Sequence, residues 1–253
     1  MTPDFTGAFD KARPLKGKRA LVTGGAKRIG RGLALALARA GADVAITYRG
    51  SVEAAEKTVM DLTSFGVNAV SIGLDVHKEW IVAPAVEDAA SALGGLDILI
   101  NNAGRFETET LDRITIEQWD EMFATNTRGP FLVAKHAYPH LKRTGGRIVN
   151  IGSLGGLHPW STHAHYCTSK AALHMLSQTM AKAWAPDISV NCVAPGMIVT
   201  TGEVTSGYEN FVEKTPMRRN GTVEDVAAAV LFFATAPHFI TGQILTVDGG
   251  LGL

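Results

Sequence analysis

Two cysteines in 253 residues, Cys167 and Cys192, provide neither a disulfide framework nor the spacing of a thiolate metal site. That usage suits a reducing compartment, and a cytoplasmic location is expected. Charge of one sign is missing too: 24 Lys and Arg balance 24 Asp and Glu, so no sequence-wide field exists to hold nucleic acid or an anionic membrane. Neither partner is expected. The longest apolar stretches, such as Val226–Ala236, fall well short of the ~20 residues a membrane helix needs. The opening Met1–Lys16, with Pro3, Asp4, Asp10 and Pro14, has no apolar core of the signal-peptide kind and reads as a loose leader before residues 17–253.

What remains is a chain long enough for a large α/β core. Strand-length apolar runs at Arg19–Thr23, Asp43–Tyr48, Val67–Gly73, Asp97–Asn101, Arg147–Ile151, Ser189–Ala194 and Gln243–Val247 alternate with helical periodicity. The helical stretches are Gly30–Ala40, Ser51–Phe65, His77–Leu93, Thr115–Lys142, His165–Ala185 and Thr222–Ala236. Continuous apolar strands are those buried on both faces, and strict alternation predicts one domain with a parallel sheet covered by helices. Met197–Thr215 has no clear assignment and reads as a lid over a functional site.

The first strand runs into Thr23-Gly24-Gly25-Ala26-Lys27-Arg28-Ile29-Gly30 and then a helix. Glycine lets the backbone turn sharply beside a pyrophosphate, and a helix N-terminus offers it free N–H groups. In that position the turn predicts nucleotide binding. The second strand ends Tyr48-Arg49-Gly50-Ser51, where an acid would bind the ribose 2′-hydroxyl of NAD. Arg49, with Ser51 and Lys27 nearby, suits a 2′-phosphate instead, so NADP(H) is the expected cofactor.

Tyr166 and Lys170 stand one helical turn apart, and Ser153 lies upstream at the end of a predicted strand. An ammonium beside a phenol favours the phenolate, and a neighbouring hydroxyl can bind a reacting oxygen. Y-x-x-x-K alone is commonplace on helices; its place after a nucleotide turn gives it weight.

With these landmarks in order, the chain resembles the short-chain dehydrogenase/reductase family from about Lys18 to Gly250. Further landmarks are Asp75-Val76, Asn101-Asn102-Ala103-Gly104, Asn126 and Pro195-Gly196. The resemblance implies a single-domain Rossmann fold, with a seven-stranded parallel sheet flanked by helices on both faces. It implies that Tyr166 is the acid/base and that Ser153 orients the substrate oxygen. Lys170 would bind the nicotinamide ribose and lower the tyrosine pKa, and Asn126 would hold a water in the relay. Asp75 and Val76 would meet the adenine, Asn102, Ala103 and Gly104 would line the cofactor, and Pro195, Gly196, Ile198 and Thr200 would contact the nicotinamide and phosphates. Helices rich in apolar positions, Thr115–Lys142 and His165–Ala185, would form the interfaces of a homotetramer.

One departure bears on substrate. Where the family usually carries a third glycine, this chain has Arg28, which resembles the pteridine reductase branch, as does the short link Ala185-Pro186-Asp187. Ser153 and Phe239-Ile240-Thr241-Gly242-Gln243 are equally at home in 3-oxoacyl-thioester reductases. The expectation is an NADPH-dependent reductase of a 3-oxoacyl thioester or similar small ketone. Pteridine reduction and a non-catalytic NADP(H)-sensing module are the alternatives. His158, His163 and His165 invite a zinc site, but reduction of this kind needs no metal, and they are expected to line the pocket mouth with Trp160. Cys167 points about 100° away from Tyr166 on a helix and is expected to pack in the core. Lys142 and Arg143 read as a solvated helix end.

Overall fold

The computed structural model describes residues 13–200 and 209–253. Seven parallel strands form one sheet: β1 (Arg19–Val22), β2 (Asp43–Tyr48), β3 (Ala69–Gly73), β4 (Ile98–Asn101), β5 (Arg147–Ile151), β6 (Ser189–Pro195) and β9 (Ile244–Val247). Their order is β3-β2-β1-β4-β5-β6-β9, so the chain leaves β1 in one direction and returns at β4 to build in the other. Crevices at such a reversal, outside the C-terminal strand ends, are where open α/β sheets bind ligands.

Continuous apolar strands demand cover on both faces, and they receive it. One face packs Leu33, Leu37, Leu62, Val226 and Phe233 from α1 (Arg28–Arg39), α2 (Val52–Thr63) and α8 (Val223–Thr235). The other packs Val82, Val86, Val133, Leu141 and Met180 from α3 (Glu79–Leu93), α5 (Gly129–Thr144) and α6 (Ala164–Trp184). Burying a side chain of this kind contributes about 1.5–3 kcal/mol. The fold class read from the alternation is therefore the observed one.

Three sequence-based expectations change. The predicted single helix Thr115–Lys142 is broken: α4 (Ile116–Phe123) ends in a π turn at Ala124–Arg128, closed by the Gly129 N–H donating to the Ala124 carbonyl, before α5 begins. One extra residue in the turn brings fully buried Asn126 against Arg105 and Ser169, and π turns recur at functional sites. The leader does not run to Lys16. Leu15 is buried and its N–H donates to the Ala40 carbonyl at 2.8 Å, while Arg13 reaches the Phe65 carbonyl; residues 1–12 lie outside the described region. Within the expected lid, β7 (Ile198–Val199) pairs with β8 (Gly221–Thr222) and α7 spans Glu209–Lys214, while residues 201–208 lie outside the described region. No helix among the described residues is long and apolar enough to cross a membrane.

Candidate active site

The Gly-rich turn is built by close approach. Gly24 sits at φ 64, and a Cβ on Gly30 would lie 2.2 Å from the Gly24 carbonyl oxygen and 2.4 Å from Asn102 Nδ2. Only glycine fits both positions. Asn102 locks the turn onto the loop after β4, donating from Nδ2 to the Thr23 carbonyl at 2.9 Å and the Gly24 carbonyl at 3.2 Å. Thr47, a residue the sequence did not single out, accepts the Gly24 N–H at 3.1 Å from the end of β2. Arg28 occupies φ 51, a left-handed conformation that glycine adopts freely and arginine rarely. The arginine that stands at the family's third glycine thus takes up a backbone conformation suited to glycine. Holding a non-glycine residue there costs on the order of 1 kcal/mol, the kind of strain that clusters at ligand clamps.

Beside this turn lies a cleft of about 730 Å³. Fourteen of the predicted cofactor residues line it: Gly24, Lys27, Arg28, Ile29 and Gly30 from the turn, Tyr48 and Arg49 after β2, Asp75 and Val76 after β3, Asn102, Ala103 and Gly104 after β4, and Ile198 and Thr200. Gly50, Ser51, Tyr166, Lys170, Pro195 and Gly196 do not line it. Ser51 instead precedes α2, and a Cβ on Gly196 would lie 2.7 Å from Asp248. Thr47, Leu74, His77, Arg105, Phe106, Glu107 and Thr125 are lining residues that sequence reasoning missed. A dinucleotide fits this donor set. The first turn of α1 is uncapped by any side chain, leaving N–H groups for a pyrophosphate, and Lys27 and Arg49 are exposed on the cleft with no ion-pair partner among the described residues.

Bordering the cleft where Gly104 and Phe106 line it, β5 and α6 bring Ser153, Tyr166 and Lys170 together. A Cβ on Gly104, which lines the cleft, would stand 3.7 Å from Lys170 Nζ. Lys170 is buried, its Nζ donates to the Ile151 carbonyl at 2.8 Å, and it lies 6.0 Å from the centre of the Tyr166 ring. Burial pushes its pKa down to about 8. Burial likewise pushes the Tyr166 phenol up to about 12, and the Ser153 hydroxyl bonded to it opposes this only in part. The expected lowering of the tyrosine pKa by Lys170 is therefore not the dominant effect in the structure; desolvation wins. A phenol held protonated at neutral pH is placed to donate rather than accept a proton.

The Asn126 side chain is fully engaged by the protein. Its Oδ1 accepts the Arg105 N–H at 2.8 Å, and its Nδ2 donates to the Arg105 carbonyl at 2.9 Å and to Ser169 Oγ at 3.0 Å. The side chain braces the loop that carries Gly104, so a bound water would have to be held by the main chain of the π turn. Of the three histidines, His163 packs with Trp160 and Phe106 near Tyr166, but His165 is wholly buried and does not line the mouth. Cys167 is buried as expected, and Lys142 forms an ion pair with Asp187 at 2.7 Å.

His174 is a site residue the sequence reading missed. It is buried, and its Nε2 accepts the Ser153 N–H at 3.3 Å. A Cβ on Gly152 would lie 2.2 Å from that nitrogen and one on Gly156 2.6 Å from Cε1, so the ring is wedged beneath the turn that presents Ser153. Burial, then the Lys170 charge, lowers its pKa to about 4, and it is neutral at physiological pH. Replacing it with Phe is expected to lower kcat about tenfold while NADPH affinity holds, since one buried N–H is left unpaired at a cost of about 1–3 kcal/mol. The wild-type imidazole contributes stability above pH 6.5 that is lost as pH falls towards 4, because the unfolded chain takes up the proton first. Acid denaturation curves of the two proteins should diverge in that window.

A nucleotide turn at a sheet reversal, beside a Ser-Tyr-Lys group whose serine and lysine are buried, defines an oxidoreductase of the Rossmann type. The family model described as Enoyl-(Acyl carrier protein) reductase matches residues 24–252. A versicolorin reductase of Emericella nidulans is 38% identical over 257 residues, 93% of this chain and 96% of that protein. A 3-oxoacyl-(acyl-carrier-protein) reductase FabG of Staphylococcus epidermidis is 35% identical over 240 residues, covering 92% and 98%. A short chain dehydrogenase from Burkholderia cenocepacia, solved in complex with NADP, is 40% identical with a TM-score of 0.87, covering 94% of this chain and 99% of that one. The chain belongs to the short-chain dehydrogenase/reductase family.

Proposed function

We propose that this protein is an NADPH-dependent carbonyl reductase. The observation that carries the reading is that a cleft presenting Lys27 and Arg49 lies beside the Ser153, Tyr166 and Lys170 group, which borders it at Gly104 and Phe106. When bound, NADPH supplies hydride to the carbonyl carbon. Negative charge then grows on the carbonyl oxygen, where the Ser153 hydroxyl binds it and the Tyr166 phenol protonates it. The Lys170 ammonium stabilises the phenolate left behind and holds the ribose. An alkoxide is more basic than a phenolate, so a phenol of raised pKa still donates downhill.

Substrates in the range of 3-oxoacyl thioesters and small ketones accord with the likeness to a 3-oxoacyl-(acyl-carrier-protein) reductase. Parallel kinetics with acetoacetyl thioester, a ketone panel and dihydrobiopterin test this. Turnover of dihydrobiopterin alone overturns it in favour of a pteridine reductase, and tight NADPH binding without turnover of any compound favours a sensor.

NADP(H) rather than NAD(H) follows from Arg49, which stands on the cleft where an acid would select NAD. Arg49→Glu is expected to lower kcat/KM for NADPH by about 100-fold, the worth of a charged hydrogen bond replaced by repulsion, with NADH little affected. Equal losses with both coenzymes would remove the arginine from that role. A cytoplasmic homotetramer completes the reading. The face of α4 to α6 leaves Ile116, Phe131 and Met175 exposed, a surface suited to burial against a second copy. Sedimentation as a monomer at micromolar concentration would exclude it.

A further inference from the structure

Phe106 is 60% exposed although it lines the cleft, and it is the first large apolar side chain after β4, two residues beyond Gly104. One ring neighbour is His163, stacked at 4.8 Å with 25° between planes; another is Tyr166, met edge-on at 4.8 Å. Trp160 lies parallel to Tyr166 at 6.0 Å and edge-on to His163 at 5.7 Å. The acid/base phenol is thus set within a continuous aromatic wall drawn from two loops.

The wall is rigid and uncharged. His163 Nε2 is bonded to Thr108 Oγ1 and its Nδ1 to Thr162 Oγ1, both at 2.9 Å, so both nitrogens are engaged and the ring faces are left for packing. Burial lowers the His163 pKa and keeps it neutral. Trp160 rests on Gly155, where a Cβ would stand 3.1 Å from its ring. Arg105, the nearby cation, is neutralised within the protein by Glu107 and Glu121, each at 2.8 Å. Paired in this way, Arg105 is not free to hold the phosphate of a carrier-bound acyl chain, whereas aromatic faces reward a flat partner.

Resting on the reading of the site as a carbonyl reductase, we infer that its substrates are flat ring ketones conjugated to an aromatic ring. The ring stacks on Phe106 and Trp160 and directs the carbonyl oxygen to Ser153 and Tyr166. Phe106 and Trp160 act as specificity determinants and take no part in proton transfer.

The test compares kcat/KM for 1-tetralone, cyclohexanone and an acetoacetyl thioester in the wild type, Phe106→Ala, Phe106→Tyr and Trp160→Ala, with NADPH affinity measured for each. The wild type is expected to favour tetralone. Each Ala variant is expected to lose on the order of tenfold more on tetralone than on cyclohexanone, chiefly through KM, while any loss common to both ketones reads the packing of these rings on Tyr166. Phe106→Tyr keeps the ring and should keep the preference. Cyclohexanone or the thioester used as well as tetralone, or a tetralone preference unchanged in both Ala variants, overturns the inference and leaves the reductase intact. Failure to reduce any ketone while NADPH binds tightly overturns the reductase reading and this inference with it.

Discussion

Tyr166→Phe is expected to lower kcat for ketone reduction by about a thousandfold, the scale of a lost general acid, while NADPH binds with nearly its wild-type affinity. The two effects separate because the phenol oxygen and the nucleotide cradle are built by different elements. The cradle depends on Gly24, Gly30, Asn102 and the open end of α1, none of which packs on the phenol oxygen. The phenol instead meets Ser153 and stands among Phe106 and Trp160, which also hold a phenylalanine ring in place. Stopped turnover with intact binding is therefore the signature of a proton donor. A loss of NADPH affinity equal to the loss of rate would make Tyr166 a structural residue.

Lys170→Met should abolish useful turnover and yet stabilise the protein at neutral pH. Burial lowers the lysine from 10.5 to about 8, so below pH 8 the folded protein carries a desolvated charge that the unfolded chain hydrates freely. That difference corresponds to roughly 3 kcal/mol, offset in part by about 1 kcal/mol for the Ile151 carbonyl left unpaired. The net gain should raise Tm by several degrees at pH 7. The sign with pH is definite. Between about pH 8 and 10.5 the unfolded chain holds the proton and the folded one does not, so wild-type stability rises with pH through that window and the advantage of the methionine disappears. Thermal melts of both proteins at pH 7 and 10.5, with NADPH absent, check it; a destabilised variant at pH 7 would show that the ion is more than compensated in the fold.

The sheet was legible because strands such as Val44–Ile46 and Ile98–Ile100 are buried on both faces, and that leaves an unbroken apolar run in the sequence. The Gly-rich turn and the Tyr166 and Lys170 pair were legible because each is a local spacing. The π turn was not, since one added residue scarcely disturbs apolar periodicity, and what holds it is Asn126 reaching Arg105 and Ser169, contacts distant in sequence. Leu15 escaped notice as a single apolar residue without a period around it. His174 left a signal that went unread: Tyr166, Lys170 and His174 repeat every four residues and so share one helix face. Trp160 was legible as a pocket-mouth residue, but Phe106 left no signal, because it lies more than fifty residues from Trp160 and His163 and meets their loop only through the fold. Reversal of the expected tyrosine shift has the same origin. Spacing shows which charge is near, and only the packed structure shows how much water has been removed.

The central claim is that this cleft moves hydride to a carbonyl while Tyr166 supplies the proton. Its most direct measurement is mass spectrometry of the alcohol formed from an unlabelled ketone and NADPH carrying deuterium at both positions of the nicotinamide C4. One deuterium on the carbinol carbon is expected with the wild type and essentially no alcohol with Tyr166→Phe; an unlabelled alcohol, or full product from the variant, would rule out hydride transfer with Tyr166 as the proton donor.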